Sequence, residues 1–202
     1  MTNIQRANKD ITQQQKSISK RDVKQELQER IGKILSNESK FVLLLDFSGS
    51  MYDYIENVGK TKINELRIFV KEIPELPAVI FNNVATYFCS SKQILSKNPG
   101  GATNYYEALK TWQDYRPEAE AILISDGQPN EDIEEMWALL ESINQRVHTI
   151  FIGPKDDEES MEILKRIAEL TGGTFSHIDV NIVKNLAKQL TTSVNKILAL
   201  TE

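Results

Sequence analysis

From residue 40 onward, short apolar runs alternate with longer segments in which apolar residues recur every three or four positions. Residues 41–45 (FVLLL), 121–125 (AILIS) and 147–152 (VHTIFI) are nearly continuous apolar runs, as strands covered on both faces require. Residues 78–81 and 84–89 flank Asn82 and Asn83, and residues 174–178 form a last short run. Asparagine tolerates positive φ, so the Asn pair predicts a tight hairpin turn. Between these runs, Ile55, Val58, Ile63, Leu66, Phe69, Val70 and Ile73 make one helical stripe over 55–73, ended by Pro74. Further helices are predicted over 105–115, over 131–145 with Asn130 as cap, over 157–170 closed by Gly172-Gly173, and over 180–200. Buried strands alternating with helices mean an α/β fold: a mostly parallel sheet, helices on both faces, and one antiparallel edge strand from the hairpin.

The first 37 residues have a different texture. Residues 1–20 are rich in Gln, Lys and Asn, with Ile4, Ile11 and Ile18 seven apart. Val23, Leu27, Ile31 and Leu35 then recur at i+4 and predict a narrow amphipathic helix. The expected organisation is a polar, partly helical extension over 1–37 and one domain over 38–202. The extension would pack on the body or on a partner.

Charge follows the same division. The net charge is −5, but residues 1–40 balance to +4 and residues 41–202 to −9. An acidic body repels nucleic acid, so none is expected as a partner. One cysteine, Cys89, excludes an intramolecular disulfide. There is no apolar leader and no apolar run near the ~20 residues of a membrane span, so no membrane association and a cytoplasmic location are expected.

In sheets of this kind ligands sit outside the carboxyl ends of the strands. Asp46 ends the first apolar run, with Ser48 and Ser50 following in "DFSGS". Thr103 follows the glycine pair of "GGATN" before a predicted helix, and Asp126 follows the 121–125 run in "SDG". Two carboxylates and three hydroxyls, with no histidine or thiol, are hard oxygen donors. They suit Mg²⁺, with Mn²⁺ or Ca²⁺ as substitutes, and argue against zinc or copper. Neutral hydroxyls leave a bound ion electrophilic, so an incoming Asp or Glu would be a strong further ligand.

These residues resemble the metal-ion-dependent adhesion site of von Willebrand factor A (VWA) domains, whose pattern is Asp-x-Ser-x-Ser, a distant Thr and a distant Asp. Asp46, Ser48, Ser50, Thr103 and Asp126 match all five positions, and the resemblance spans roughly residues 38–200. It implies a Rossmann-like, doubly wound sheet. It also implies direct metal ligation by Ser48 and Ser50, direct or water-mediated ligation by Thr103, and action mostly through water by Asp46 and Asp126. It further implies divalent-cation-dependent binding of a protein presenting Asp or Glu, an adaptor or scaffold role rather than catalysis. An ATPase or an assembly complex is the partner class that family habit points to. Tyr52, Tyr54, Asn104, Tyr105, Tyr106 and Gln128 follow on the same loops and are candidates for a partner-binding rim, with plain packing as the alternative for the tyrosines.

Ordinary turn and helix-cap chemistry would also place Asp and Ser at strand ends, with Ser50 or Asp53 capping the next helix. A metal-dependent phosphatase-like enzyme is the rival class. It would need a second aspartate where Ser48 stands, and no lysine is evident beside the strand end. There is no GxxxxGK[ST] motif. His148 and His177 fall within predicted strands and read as structural, not as a general base. A third reading places the interface on the N-terminal helix, with the metal site purely structural. Cys89, Trp112 and Trp137 read as packing residues, and residues 155–160 as a solvated helix start whose acids the helix dipole favours.

Overall fold

The apolar runs assemble into one six-stranded sheet, in the spatial order Ala85–Phe88, Ala78–Phe81, Phe41–Asp46, Glu120–Ser125, Val147–Gly153, Phe175–Asp179. The computed structural model describes residues 39–73, 75–130 and 133–201. The chain divides into two units between Glu38 and Ser39. The extension over 1–37, with its predicted helix, lies outside the described residues.

β1 (Phe41–Asp46) is buried along its whole length. A two-stranded antiparallel ladder follows, β2 (Tyr54–Ile55) and β3 (Lys60–Thr61), then α1 (Lys62–Glu72). β4 (Ala78–Phe81) pairs parallel with β1 and antiparallel with the edge strand β5 (Ala85–Phe88). The chain then crosses through α2 (Tyr105–Tyr115) to β6 (Glu120–Ser125), which pairs parallel with the other side of β1. α3 (Ile133–Ser142), β7 (Val147–Gly153), α4 (Glu158–Thr171), β8 (Phe175–Asp179) and α5 (Leu186–Leu198) complete the fold. This is the doubly wound, Rossmann-like, mostly parallel sheet with one antiparallel edge strand that the sequence predicts.

Strand alternation divides the core in two. Leu43, Leu45, Ile122, Ile124, Ile150 and Ile152 face one side, where α1 supplies Leu66 and Phe69 and α5 supplies Leu190 and Val194. Val42, Leu44, Ala121, Leu123 and Phe151 face the other, under Trp112 of α2, Met136 of α3 and Ile167 of α4. The sheet therefore changes its covering face between the β1–β4 and β5–β6 crossovers. That makes the ends of β1 and β6 a topological switch point, where a crevice opens. Among the described residues no helix is long and apolar enough to cross a membrane.

Several elements differ from expectation. The stripe over 55–73 is not one helix: residues 54–61 form the small ladder, Gly59 takes φ +74°, and the helix starts only after its cap, Thr61. Neither Ser50 nor Asp53 caps it. The hairpin loop is built without positive φ in asparagine. Instead Asn82 Oδ1 accepts from Val84 N (3.1 Å), and Asn82 N donates to Val84 O (3.0 Å). A 3-10 turn at Ser91–Ser96 has no apolar period to announce it. The helix expected over 131–145 is described over Ile133–Ser142, while Asn130 serves the Thr103 loop. The last helix begins after Asn185, whose side chain caps it through Lys188 N, so residues 180–185 are a loop rather than its first turns.

Candidate metal centre

β1 and β6 are adjacent and parallel, with Leu45 opposite Ile124, so their next residues emerge side by side. Three loops meet there. Phe47 N donates to Phe81 O (2.7 Å), Gly100 N to Phe47 O (2.8 Å) and Gly49 N to Gly101 O (2.9 Å). The glycine loop is thereby stitched to the DFSGS loop by backbone alone. At Gly101 φ is +81°, and an added Cβ would stand 1.9 Å from Asn83 Oδ1. The same Asn83 oxygen accepts from Ala102 N (2.8 Å). Thr103 is fixed next, its N–H donating to Asn130 Oδ1 (2.9 Å) and its carbonyl accepting from Asn130 N (2.8 Å). Its hydroxyl stays outside that pairing.

All five sequence-predicted residues are brought together. Ser50 Oγ donates to Asp126 Oδ1 (2.8 Å) and lies 2.9 Å from Ser48 Oγ. Asp46 is fully buried: Oδ1 accepts from Ser48 N (2.7 Å) and Oδ2 from Ser125 Oγ (2.5 Å). A cleft of about 380 Å³ opens here, and its lining includes Ser48, Ser50, Thr103, Gln128, Asp157 and Ser160. Burial pushes the Asp46 carboxyl up to about 7, and the nearby Asp126 charge adds to this; bonds from Ser125 and Ser48 oppose it.

The rim candidates separate. Tyr52 and Tyr54 are 50% and 63% exposed beside the DFSGS loop. Gln128 lines the cleft. Asn104 caps α2 through Glu107 N (2.9 Å). Tyr105 is fully buried: its hydroxyl lies 2.5 Å from Gly127 O and 2.8 Å from Ser125 Oγ, so it supports the Asp126 loop from below. Tyr106 packs against the core under α2.

One residue that sequence reasoning missed stands at the centre. Lys62 Nζ lies 2.6 Å from Asp126 Oδ2 and 3.2 Å from Asp53 Oδ2. The expectation that no lysine borders the strand end is therefore corrected. Lys62 comes in from the start of α1, sixteen positions after Asp46, behind a ladder that the helical stripe concealed. Burial pulls the ammonium down, but the Asp126 and Asp53 carboxylates outweigh it and hold the group above its ordinary value. Ser125, Asn83 and Asn130 are likewise supports without a motif of their own.

The donor set fits a hard divalent ion: Ser48, Ser50 and Thr103 line the cleft, and the buried Asp46 and Asp126 carboxylates stand behind them, bonded to Ser48 N and Ser50 Oγ. Among the described residues no cluster of three or more His, Cys, Asp or Glu could hold a metal, so a site here depends on its hydroxyls. His148 is buried and fully engaged away from the cleft. Its Nδ1 accepts from Thr174 N (3.1 Å), and its Nε2 meets Glu120 Oε2 (3.0 Å). His177 Nε2 meets Gly153 O (2.9 Å).

No protein-family model matches this chain, and no curated protein matches it. Solved structures do. The conserved hypothetical protein BatB from Bacteroides thetaiotaomicron is 17% identical, with 79% of this chain and 98% of that one covered and a TM-score of 0.52. The VWA domain of SpRpn10 is 12% identical over 77% and 93% of the two chains, with a TM-score of 0.54. The ArnB paralog VWA2 from Sulfolobus acidocaldarius is 26% identical, over 75% of this chain but 42% of that one, with a TM-score of 0.50. The fold of this chain is VWA-like.

Proposed function

We propose that this chain is a protein-interaction module that binds a divalent cation, Mg²⁺ foremost, through Asp46, Ser48, Ser50, Thr103 and Asp126. A partner's Asp or Glu completes the ion's shell. The observation that carries this reading is the meeting of Ser48, Ser50 and Asp126 across two loops (2.9 and 2.8 Å), with both serines sharing one open cleft with Thr103. The bound ion supplies a positive centre that attracts a carboxylate. The chain's own residues hold the hydroxyls in place, keep Asp46 out of water and present Tyr52 and Tyr54 at the margin. Tyrosines at such a margin suit a protein interface. The VWA-like fold and the acidic body agree with a protein partner and not a nucleic acid. An ATPase or an assembly complex in the cytoplasm is the partner class we favour.

The phosphatase-like alternative gains a lysine but still lacks the second carboxylate, because Ser48 occupies that position. Calorimetry with Mg²⁺ and Mn²⁺ on the wild type and on Ser48→Ala/Ser50→Ala tests the reading. Saturable binding in the wild type, lost in a variant that circular dichroism shows folded, supports it. A folded wild type that binds neither ion would refute it.

A further inference from the structure

Lys62 runs against its local preferences. It is the first residue of α1, where the helix dipole disfavours a cation, and its side chain is only 10% exposed. Lysine is seldom buried unless paired. The packing of α1 rests on Ile63, Leu66, Phe69 and Val70 and requires no lysine before them. Yet Lys62 is held in place twice over. Its N–H donates to Asp53 O (3.1 Å), and its ammonium lies between Asp126 Oδ2 (2.6 Å) and Asp53 Oδ2 (3.2 Å). The two carboxylates differ in kind: the Asp126 side chain is fully buried, that of Asp53 66% exposed. A desolvated charge placed against propensity marks a site where the charge acts.

We infer that Lys62 is a tethered counter-cation of the metal centre: it holds the Asp126 carboxylate when no divalent ion is bound and competes with the ion for that carboxylate. This rests on the proposed metal-binding reading. When an ion enters, Asp53 gives the ammonium a second, solvated anchor within reach. Two consequences follow. The buried Asp126 carboxylate is neutralised without metal, so folding does not depend on metal loading. The ion's affinity for the chain alone is held down, so a partner carboxylate that adds to the ion's ligands also raises its retention. Ion and partner then bind with positive coupling.

The test compares the wild type with Lys62→Met, which keeps the length and removes the charge, and with Lys62→Gln. Mn²⁺ affinity is measured by calorimetry, and Tm is measured in EDTA and in saturating Mn²⁺. The expected result is Mn²⁺ binding about tenfold or more tighter in Lys62→Met, with a Tm that falls in EDTA and recovers in Mn²⁺. A merely structural lysine would give the opposite sign, a looser site on removal. Equal or weaker binding in both folded variants overturns the role of Lys62 but leaves the metal reading standing. No binding in the wild type or either variant brings down both. So does tight binding that survives Ser48→Ala/Ser50→Ala in the Lys62→Met background, because the ion then sits elsewhere. If a variant is unfolded in EDTA, folding on Mn²⁺ addition supports the inference. Failure of both variants to fold with Mn²⁺ overturns it.

Discussion

The Ser125 hydroxyl meets Asp46 Oδ2 at 2.5 Å, at the ends of two adjacent parallel strands. Behind it stands the Tyr105 hydroxyl, 2.8 Å from Ser125 Oγ and 2.5 Å from Gly127 O. One phenolic proton cannot serve both contacts. Ser125 donates to Asp46, so its oxygen is left as an acceptor, and the Tyr105 proton goes either to it or to the Gly127 carbonyl. The Ser125 bond favours the ionised form of Asp46, but burial and the Asp126 charge outweigh it and raise the carboxyl to about 7.

The pH dependence follows from that shift. Asp46 titrates near 7 when folded and metal-free, against about 3.9 when unfolded. Between these values the folded chain holds a proton that the unfolded chain has released, so the contribution is full below about pH 4 and lost as pH rises to about 7. Metal-free Tm should decline across that window on account of this group. An incoming divalent ion favours the ionised carboxylate. Its binding should therefore release a proton at pH 6 and little at pH 8, and its affinity should fall as the solution is acidified. Calorimetry at pH 6 in buffers of different ionisation enthalpy reads the proton directly, and buffer-independent heats would contradict this assignment.

Tyr105 and Tyr52 should behave as opposites. Tyr105→Phe removes a buried hydroxyl that supports Gly127 and should cost about 1–3 kcal/mol of stability, with weaker metal binding as the Asp126 loop loosens. Tyr52 is half exposed and should tolerate Ala within about 0.5 kcal/mol. Thermal melts of the two variants check the contrast. Once a partner is identified, Tyr52→Ala should lower its affinity while leaving Mn²⁺ binding intact.

Gly101 fixes how close the glycine loop may come to the metal loop. An Ala there meets both a positive φ and the Asn83 side chain, so Gly101→Ala should destabilise by about 1–3 kcal/mol and displace Thr103. Gly100→Ala is the control, because its Cβ would meet nothing within 4 Å. Equal Tm and equal Mn²⁺ affinity in the two variants would show that the loop contact does not position the site.

The parts legible in the sequence were those with a period or a motif. FVLLL and AILIS could only be strands covered on both faces, and the aspartates that follow them had to emerge at the same edge. The stripe from Ile55 to Ile73 misled because Ile55 faces the core from a strand while Ile63 faces it from a helix. Both burials satisfy a helical count. Lys62 was invisible for the same reason: its place in the site depends on the helix starting at residue 62. Asn83 and Asn130 act through side-chain oxygens on backbone N–H groups far away in sequence, for which no spacing rule exists. Of the two readings open for Tyr105 the structure shows packing, because adjacency to a loop does not say which way the first residue of a helix points.

Glu65 supplies a last, independent prediction. Its carboxylate is almost fully buried on α1, yet Oε2 accepts from Ala187 N (3.0 Å) in the first turn of α5, and Oε1 meets Lys60 Nζ (3.1 Å). An acid at a helix N-terminus satisfies one of its orphan N–H groups and complements its dipole. Because the acid belongs to another helix, it locks α5 to α1 at one end of their shared apolar seam. Glu65→Gln keeps an acceptor and should cost about 1 kcal/mol. Glu65→Ala leaves the Ala187 N–H buried and unpaired and should cost about 2–4 kcal/mol. Amide exchange over Leu186–Leu198 should accelerate before that of β1. If exchange in α5 and β1 accelerated together, the lock would belong to global folding and not to the docking of this helix.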